Sequence, residues 1–157
     1  MAEAQLSNSA SKGDPSTQRE SSPASLLVID DDGSICAVIE KLGEKAGFTP
    51  RRAMSAEEAT KLLRAQRFDC ITLDLGIGKN SGIELLSVLA EMKSTTPIII
   101  ISGSMRSMRD FAVTIASNMH LAVPHQFAKP IDFAKLKEAL VEVKETVNVQ
   151  GELISAA

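Results

Sequence analysis

The sequence predicts an α/β fold: a five-stranded, doubly wound parallel sheet with helices on both faces. Three observations predict it. Short apolar runs alternate with longer segments of helical period, the pattern of successive βαβ units. Most of the apolar runs are continuous rather than alternating, as strands covered on both faces require. Five run-and-helix repeats fit between Leu26 and Val147, and right-handed crossovers leave them few topologies.

Taken in order, Leu26-Leu27-Val28-Ile29 is the first strand and ends in Asp30-Asp31-Asp32. Ile35, Val38, Ile39, Leu42 and Ala46 recur at helical spacing, and Gly47 closes that helix. Phe48 to Ala53 is a weaker strand, and its Pro50 places it at an edge. Ser55 and Glu58 form a capping box that opens a second helix, with Ala59, Leu62 and Leu63 facing inward. The third strand is Phe68 to Asp74, followed by a loop with Gly76 and Gly78. Gly82 begins a third helix whose inward face reads Ile83, Leu86, Leu89 and Ala90.

Pro97 to Ser102 is the most apolar stretch and predicts an interior strand. Met105, Met108, Ala112, Ile115 and Ala116 give a fourth helix, its methionines read as packing residues. His125 to Ala128 is a short fifth strand ended by Lys129-Pro130, and Asp132 caps a last helix carrying Phe133, Leu136, Leu140 and Val143. Strands and helices in this number suit the flavodoxin-like order 2-1-3-4-5. The domain is thus expected over residues 25–147. Residues 1–24, rich in Ser and without apolar period, are expected to be disordered, and residues 148–157 to be a frayed tail.

Composition narrows the function. The chain has 157 residues, 44% hydrophobic and 24% charged, with a formal net charge of −3. That charge gives no general attraction to a phosphate backbone. With no Trp or Tyr and five Phe, base stacking is not expected, so direct nucleic-acid binding is excluded. No apolar run approaches the ~20 residues of a membrane span, and the N-terminus lacks the apolar core of a signal peptide. A cytoplasmic protein without membrane association is expected. Cys36 and Cys70 have no metal-like spacing and read as free buried thiols. His120 and His125 read as bystanders.

The chemistry gathers at the strand ends. In an open α/β sheet ligands bind outside the carboxyl ends of the strands. Here the first strand ends in Asp30-Asp31, the third in Asp74, the fourth in Ser102 and the fifth in Lys129. Carboxylates about 4 Å apart repel by roughly 4 kcal/mol per pair at an effective dielectric of 20, so such a cluster calls for a cation or shifted pKa values. Hard oxygen ligands with a phosphate partner point to Mg²⁺. A nucleophilic Asp, a bridging metal and two positioned donors are what phosphoryl transfer onto a carboxylate needs.

At these residues the sequence resembles the receiver domains of two-component response regulators, from about Leu26 to Val147. Val28-Ile29-Asp30-Asp31-Asp32 is similar to the family's acidic pair. Leu73-Asp74 with Gly82 is similar to its phosphoacceptor loop, Ile101-Ser102-Gly103 to its hydroxyl position, and Phe127-Ala128-Lys129-Pro130 to its lysine-proline pair. The resemblance implies that Asp74 accepts the phosphoryl group. It implies Mg²⁺ at Asp31, Asp74 and the Gly76 carbonyl, with Asp30 on a metal-bound water, and phosphoryl oxygens at Ser102 and Lys129. Ser102 and the position of Gln126 would form the switch. The chain departs from the family pattern in Ile77-Gly78 where Met-Pro is usual and in Gln126 where an aromatic is common. The segment between Ser102 and Lys129 is also long, which suggests an extended fourth helix.

The implied partners are a histidine kinase or histidine phosphotransfer protein as donor and a downstream protein on the face of the fourth helix, fifth strand and fifth helix, with a homodimer left open. No output domain is expected after Val147, and turnover of a separate substrate is not expected. One alternative is a different class. Asp30-Asp31-Asp32-Gly33-Ser34 also resembles the first motif of haloacid-dehalogenase-type phosphatases, with Asp30 as nucleophile and Asp32 as acid. That reading lacks an acidic pair after Lys129 and leaves Asp74 unexplained.

Overall fold

A computed structural model describes residues 23–103 and 105–155 of the chain. The expected disordered tail lies outside the described residues except for its last two, Pro23 and Ala24. Five strands, β1 (Ala24–Ile29), β2 (Phe48–Ala53), β3 (Cys70–Asp74), β4 (Ile98–Ser102) and β5 (His125–Ala128), pair in the order β2-β1-β3-β4-β5. Every pairing is parallel. The helices are α1 (Gly33–Lys45), α2 (Ala56–Ala65), α3 (Gly82–Glu91), α4 (Arg106–Asn118) and α5 (Phe133–Ser155). A distorted turn at Ile77–Asn80 precedes α3. The predicted fold, strand order and edge position of the Pro50 strand are all observed.

Alternation along the strands divides the interior into two cores. Leu27, Ile29, Ile71, Leu73, Ile98 and Ile100 point to one face, where they meet residues of α2, α3 and α4. Leu26, Val28, Cys70, Ile99 and Ile101 point to the other, where Cys36 and Ile39 of α1 and Leu136, Leu140 and Val143 of α5 cover them. Each fully buried Leu or Ile contributes about 1.5–3 kcal/mol, so both faces hold the sheet. β3 lies in the middle with all five residues buried.

Register brings the strand ends level. Ile29 pairs with Leu73, Asp74 with Ile101, and Ser102 with Ala128. Asp30, Asp74, Ser102 and Lys129 therefore emerge within one residue of a common line across the sheet. Parallel strands of similar length, each feeding a crossover helix, have their carboxyl ends on one side, and the pairing fixes which side chains meet there.

The helix faces differ in detail from the sequence reading. On α1 the buried residues are Cys36, Ile39 and Gly43, and Val38 is exposed. Gly43 lies over Leu26, whose Cδ2 would stand 2.6 Å from an added Cβ, so α1 and β1 approach closely there. On α3 the buried face is Gly82, Leu85, Leu86 and Leu89, with Ile83 only half-buried. On α4 Ala112 and Ala116 join the core, whereas Met105 and Met108 are exposed rather than packed. α4 has 13 residues, as many as α1, and residues 119–124 connect it to β5. α5 continues to Ser155, past the boundary expected at Val147.

Candidate functional site

The three acids are held by backbone amides before any other partner acts. Asp30 is buried, and its Oδ1 accepts a hydrogen bond from the Asp32 N–H at 2.9 Å. Asp74 is buried, and its Oδ1 accepts from the Gly76 N–H, also at 2.9 Å. Both bonds run from an Asp to the amide two residues on, the local turn that Asp favours at strand ends. Asp31 is exposed, and its Oδ2 accepts from the Gly78 N–H at 3.3 Å. That bond ties the β1 loop to the β3 loop. The Gly78 backbone has φ 58, which a glycine adopts without steric cost.

Lys129 closes the cluster. Its backbone N–H donates to the Ser102 carbonyl at 3.0 Å, which continues the β4–β5 ladder by one residue. Its ammonium donates to Asp30 Oδ2 at 2.9 Å and to Asp74 Oδ2 at 3.2 Å. Ser102 is fully buried at the end of β4. Residues drawn from four strand ends are thus brought together as the sequence predicts. Gln126 is exposed on β5, away from this cluster.

Burial raises the Asp74 carboxyl above the ordinary carboxylate range, and the Asp30 charge adds to this. The Gly76 N–H and Lys129 pull the other way without cancelling it. At Lys129 burial disfavours the ammonium, but the hydrogen bond to Asp30 and the charge of Asp74 outweigh it and raise the lysine.

Oxygens of Asp30, Asp31 and Asp74 all lie within 4.8 Å of one another. Three carboxylates against one ammonium leave two negative charges unbalanced, at separations where each pair repels by a few kcal/mol. An all-oxygen set with that charge suits a hard divalent cation rather than a soft one, so the residues present fit such an ion. The cluster can coordinate a divalent cation.

Asp32 has a different job. Its Oδ1 accepts from the Ser34 N–H at 2.9 Å and the Ile35 N–H at 3.3 Å, capping α1. The phosphatase alternative needs Asp32 as a proton donor, and here it is spent on the helix cap. Asp132, after β5, likewise caps α5 through the Lys135 N–H. Neither aspartate supplies the second acidic pair, and nothing in the fold or in the comparisons below supports that alternative.

The sequence reading missed the amides that hold the acids. Those of Asp32 and Gly76 carry a signal, an Asp followed two residues later by its donor. The Gly78 bond to Asp31 spans 47 positions and leaves none. His125 is also less isolated than it looked, with Nε2 3.2 Å from Glu142 Oε2 on α5.

Comparison with known proteins places the chain in a family. The chain is 37% identical over 79 residues to the cell cycle transcriptional regulator CtrA of Caulobacter vibrioides, covering 50% of this chain and 34% of that protein. It is 27% identical over 133 residues to the transcriptional regulatory protein ZraR of Salmonella typhimurium, covering 84% and 29%. The chain thus spans about a third of the length of these curated relatives. Among solved structures, a response regulator from Colwellia psychrerythraea matches with a TM-score of 0.68 and 26% identity, covering 80% of this chain and 99% of that one. One from Burkholderia pseudomallei, solved with a phosphorylated aspartic acid, a calcium ion and citrate, matches with a TM-score of 0.63 and 28% identity, covering 82% and 72%. Residues 26–141 match the response regulator receiver domain, and the chain belongs to that family.

Proposed function

We propose that the chain is a phosphoacceptor signalling module in which Asp74 takes a phosphoryl group from a phosphohistidine of a histidine kinase or phosphotransfer protein. The observation that carries this reading is the position of Asp74. It is a buried carboxylate at the end of the central strand, flanked by two further acids and reached by one lysine. The Burkholderia relative, whose structure holds a phosphorylated aspartic acid and a calcium ion, supports the same chemistry here.

A carboxylate oxygen of Asp74 attacks the phosphorus, the P–O bond forms, and the P–N bond to the donor imidazole breaks with its electron pair returning to nitrogen. The product is an acyl phosphate on the protein's own side chain, so the reaction modifies the chain rather than turning over a separate substrate. Lys129, already bonded to both Asp30 and Asp74, transfers one contact from carboxylate to phosphoryl oxygen. The Ser102 hydroxyl donates to another. Asp31, Asp74 and the Gly76 carbonyl would hold Mg²⁺, with Asp30 on a metal-bound water. Such an ion would supply positive charge to offset that of the phosphoryl oxygens.

The signal leaves through the face made by α4, β5 and α5. Gln126 and Ala128 of β5 are exposed there beside Arg106, Arg109 and Asp110 of α4, around a cavity of about 210 Å³. A downstream protein docks on this face, and self-association through it would give a homodimer.

Incubation with a labelled phosphodonor tests the reading. Wild type should be labelled only with Mg²⁺ present, and Asp74→Asn should lose all labelling while keeping its circular dichroism spectrum. Full labelling of Asp74→Asn, or labelling indifferent to a chelator, would contradict it.

A further inference from the structure

The larger of the two cavities described lies at the opposite pole of the sheet. It has a volume of about 530 Å³ and lies between the C-terminal ends of α2 and α3, beneath the start of β3. Its floor is apolar, formed by Leu63, Phe68 and Leu89, all buried. Its rim carries Arg64, Arg67 and Lys93, with the hydroxyls of Ser94 and Thr95 beside them.

None of its lining residues among those described is acidic. The chain as a whole carries 20 acidic and 17 basic residues. Among the described residues no carboxylate stands at ion-pair distance from these three cations. Arg67 Nη2 instead donates to Thr95 Oγ1 at 3.1 Å, which fixes one guanidinium on the rim.

The ordinary role of such cations is to offset the negative ends of helices. Two helix C-termini supply about one negative charge in total. Three cations exceed that by about two, and the surplus faces an apolar floor. Lys93 sharpens the contrast. It sits just past α3 with φ 53, in the left-handed conformation that helix ends usually give to Gly, yet this chain places a long cation there.

We propose that this cavity binds a small dianionic ligand of the phosphomonoester class that carries an apolar or planar group. The planar part lies on the floor of Leu63, Phe68 and Leu89, and the phosphate meets Arg64, Arg67 and Lys93. The volume is in the range of about 300–1,000 Å³ usual for small-molecule sites. Arginine and lysine are the side chains that match phosphate oxygens. The site is independent of Asp74, which lies at the other end of β3.

The test is a titration of the full chain with AMP, followed by backbone amide NMR in the presence of a chelator so that the acidic pole takes no cation. Adenosine and inorganic phosphate are titrated separately. AMP should give saturable shifts confined to residues 63–68 and 89–96, and should bind more tightly than either fragment. Arg64→Gln and Lys93→Gln alter exposed side chains that make no hydrogen bond or ion pair among the described residues. Each should weaken AMP binding about tenfold, as loss of one charged hydrogen bond does, with the remaining spectrum unchanged. Absence of saturable shifts, affinity for AMP no better than for adenosine or phosphate, or indifference to both substitutions would overturn the proposal. So would an acidic peptide saturating these residues where AMP does not.

Discussion

At the scale of single residues, the site is a balance in which Lys129 serves two buried acids at once. Replacing it leaves Asp30 and Asp74 without their shared cation, and uncompensated buried charge is costly. Because Lys129 keeps a partly exposed side chain, the loss is reduced by solvent. Lys129→Ala should lower stability by about 1–3 kcal/mol, read from denaturant unfolding, and Mg²⁺ should restore part of it. Asp74 behaves in the opposite sense. Burial holds its folded-state pKa above the ordinary value of 3.8. Its contribution to stability is therefore present below that ordinary value and lost as pH rises through the raised one. The ionised form of this buried carboxyl opposes folding, so without divalent cation Asp74→Asn should melt higher than wild type at pH 7. The gain should shrink as pH falls through the raised value and be gone below about 4, and thermal scans across pH check both. Burial pushes the Cys36 thiol to about 11 and the Cys70 thiol to about 12. Both should resist iodoacetamide until the chain unfolds. These residues were legible in the sequence because strand ends and acids are local. The partner amide of Gly78 was not, because only tertiary structure brings it to Asp31.

At the scale of elements, the turn between β3 and α3 shows how tightly the acceptor loop is built. The Gly82 N–H donates to the Leu75 carbonyl at 3.3 Å. A Cβ at position 82 would stand 2.5 Å from Leu75 Cα and 2.8 Å from its carbonyl oxygen. Neither is a flexible side chain that can move aside. Gly82→Ala should therefore cost about 1–3 kcal/mol through overpacking, and should shift the Gly76 amide that holds Asp74. Amide NMR and denaturant unfolding would show both. Helical period found every long helix but not always its buried face. Val38 fits the repeat of α1 yet lies outside, because close approach of Gly43 to Leu26 sets the rotation of the helix. Met105, at the N-cap of α4, and Met108, in its first turn, fit the period yet are exposed. Periodicity records which residues are apolar, whereas burial depends on where the neighbouring element ends. On β5, Gln126 is exposed and Phe127 half-buried. Burying an unpartnered amide costs about 1–3 kcal/mol, comparable to the gap between two switch states. Gln126 should remain at the surface in a beryllofluoride-bound structure while residues 102–109 rearrange. An inward turn of Gln126 with 102–109 unmoved would contradict this.

At the scale of the whole molecule, function follows from parallel pairing in register. No single motif makes the site: β1 brings Asp30 and Asp31, β3 brings Asp74, β4 brings Ser102 and β5 brings Lys129, and the sheet order sets them side by side. The order was legible because continuous apolar runs, an edge proline and crossover handedness leave few arrangements. The reach of α5 to Ser155 was not, because Asn148, Val149 and Gly151 are weak helix formers. A cation that binds only the assembled strand ends stabilises the fold by mass action, so Mg²⁺ should raise the melting temperature and a chelator should remove the gain. The central claim is that Asp74 carries the phosphoryl group. Reductive trapping of the acyl phosphate with borohydride, followed by peptide mass spectrometry, locates it directly. The modified residue should be Asp74 alone, whereas a modified Asp30 or Asp31 with Asp74 intact would contradict the account.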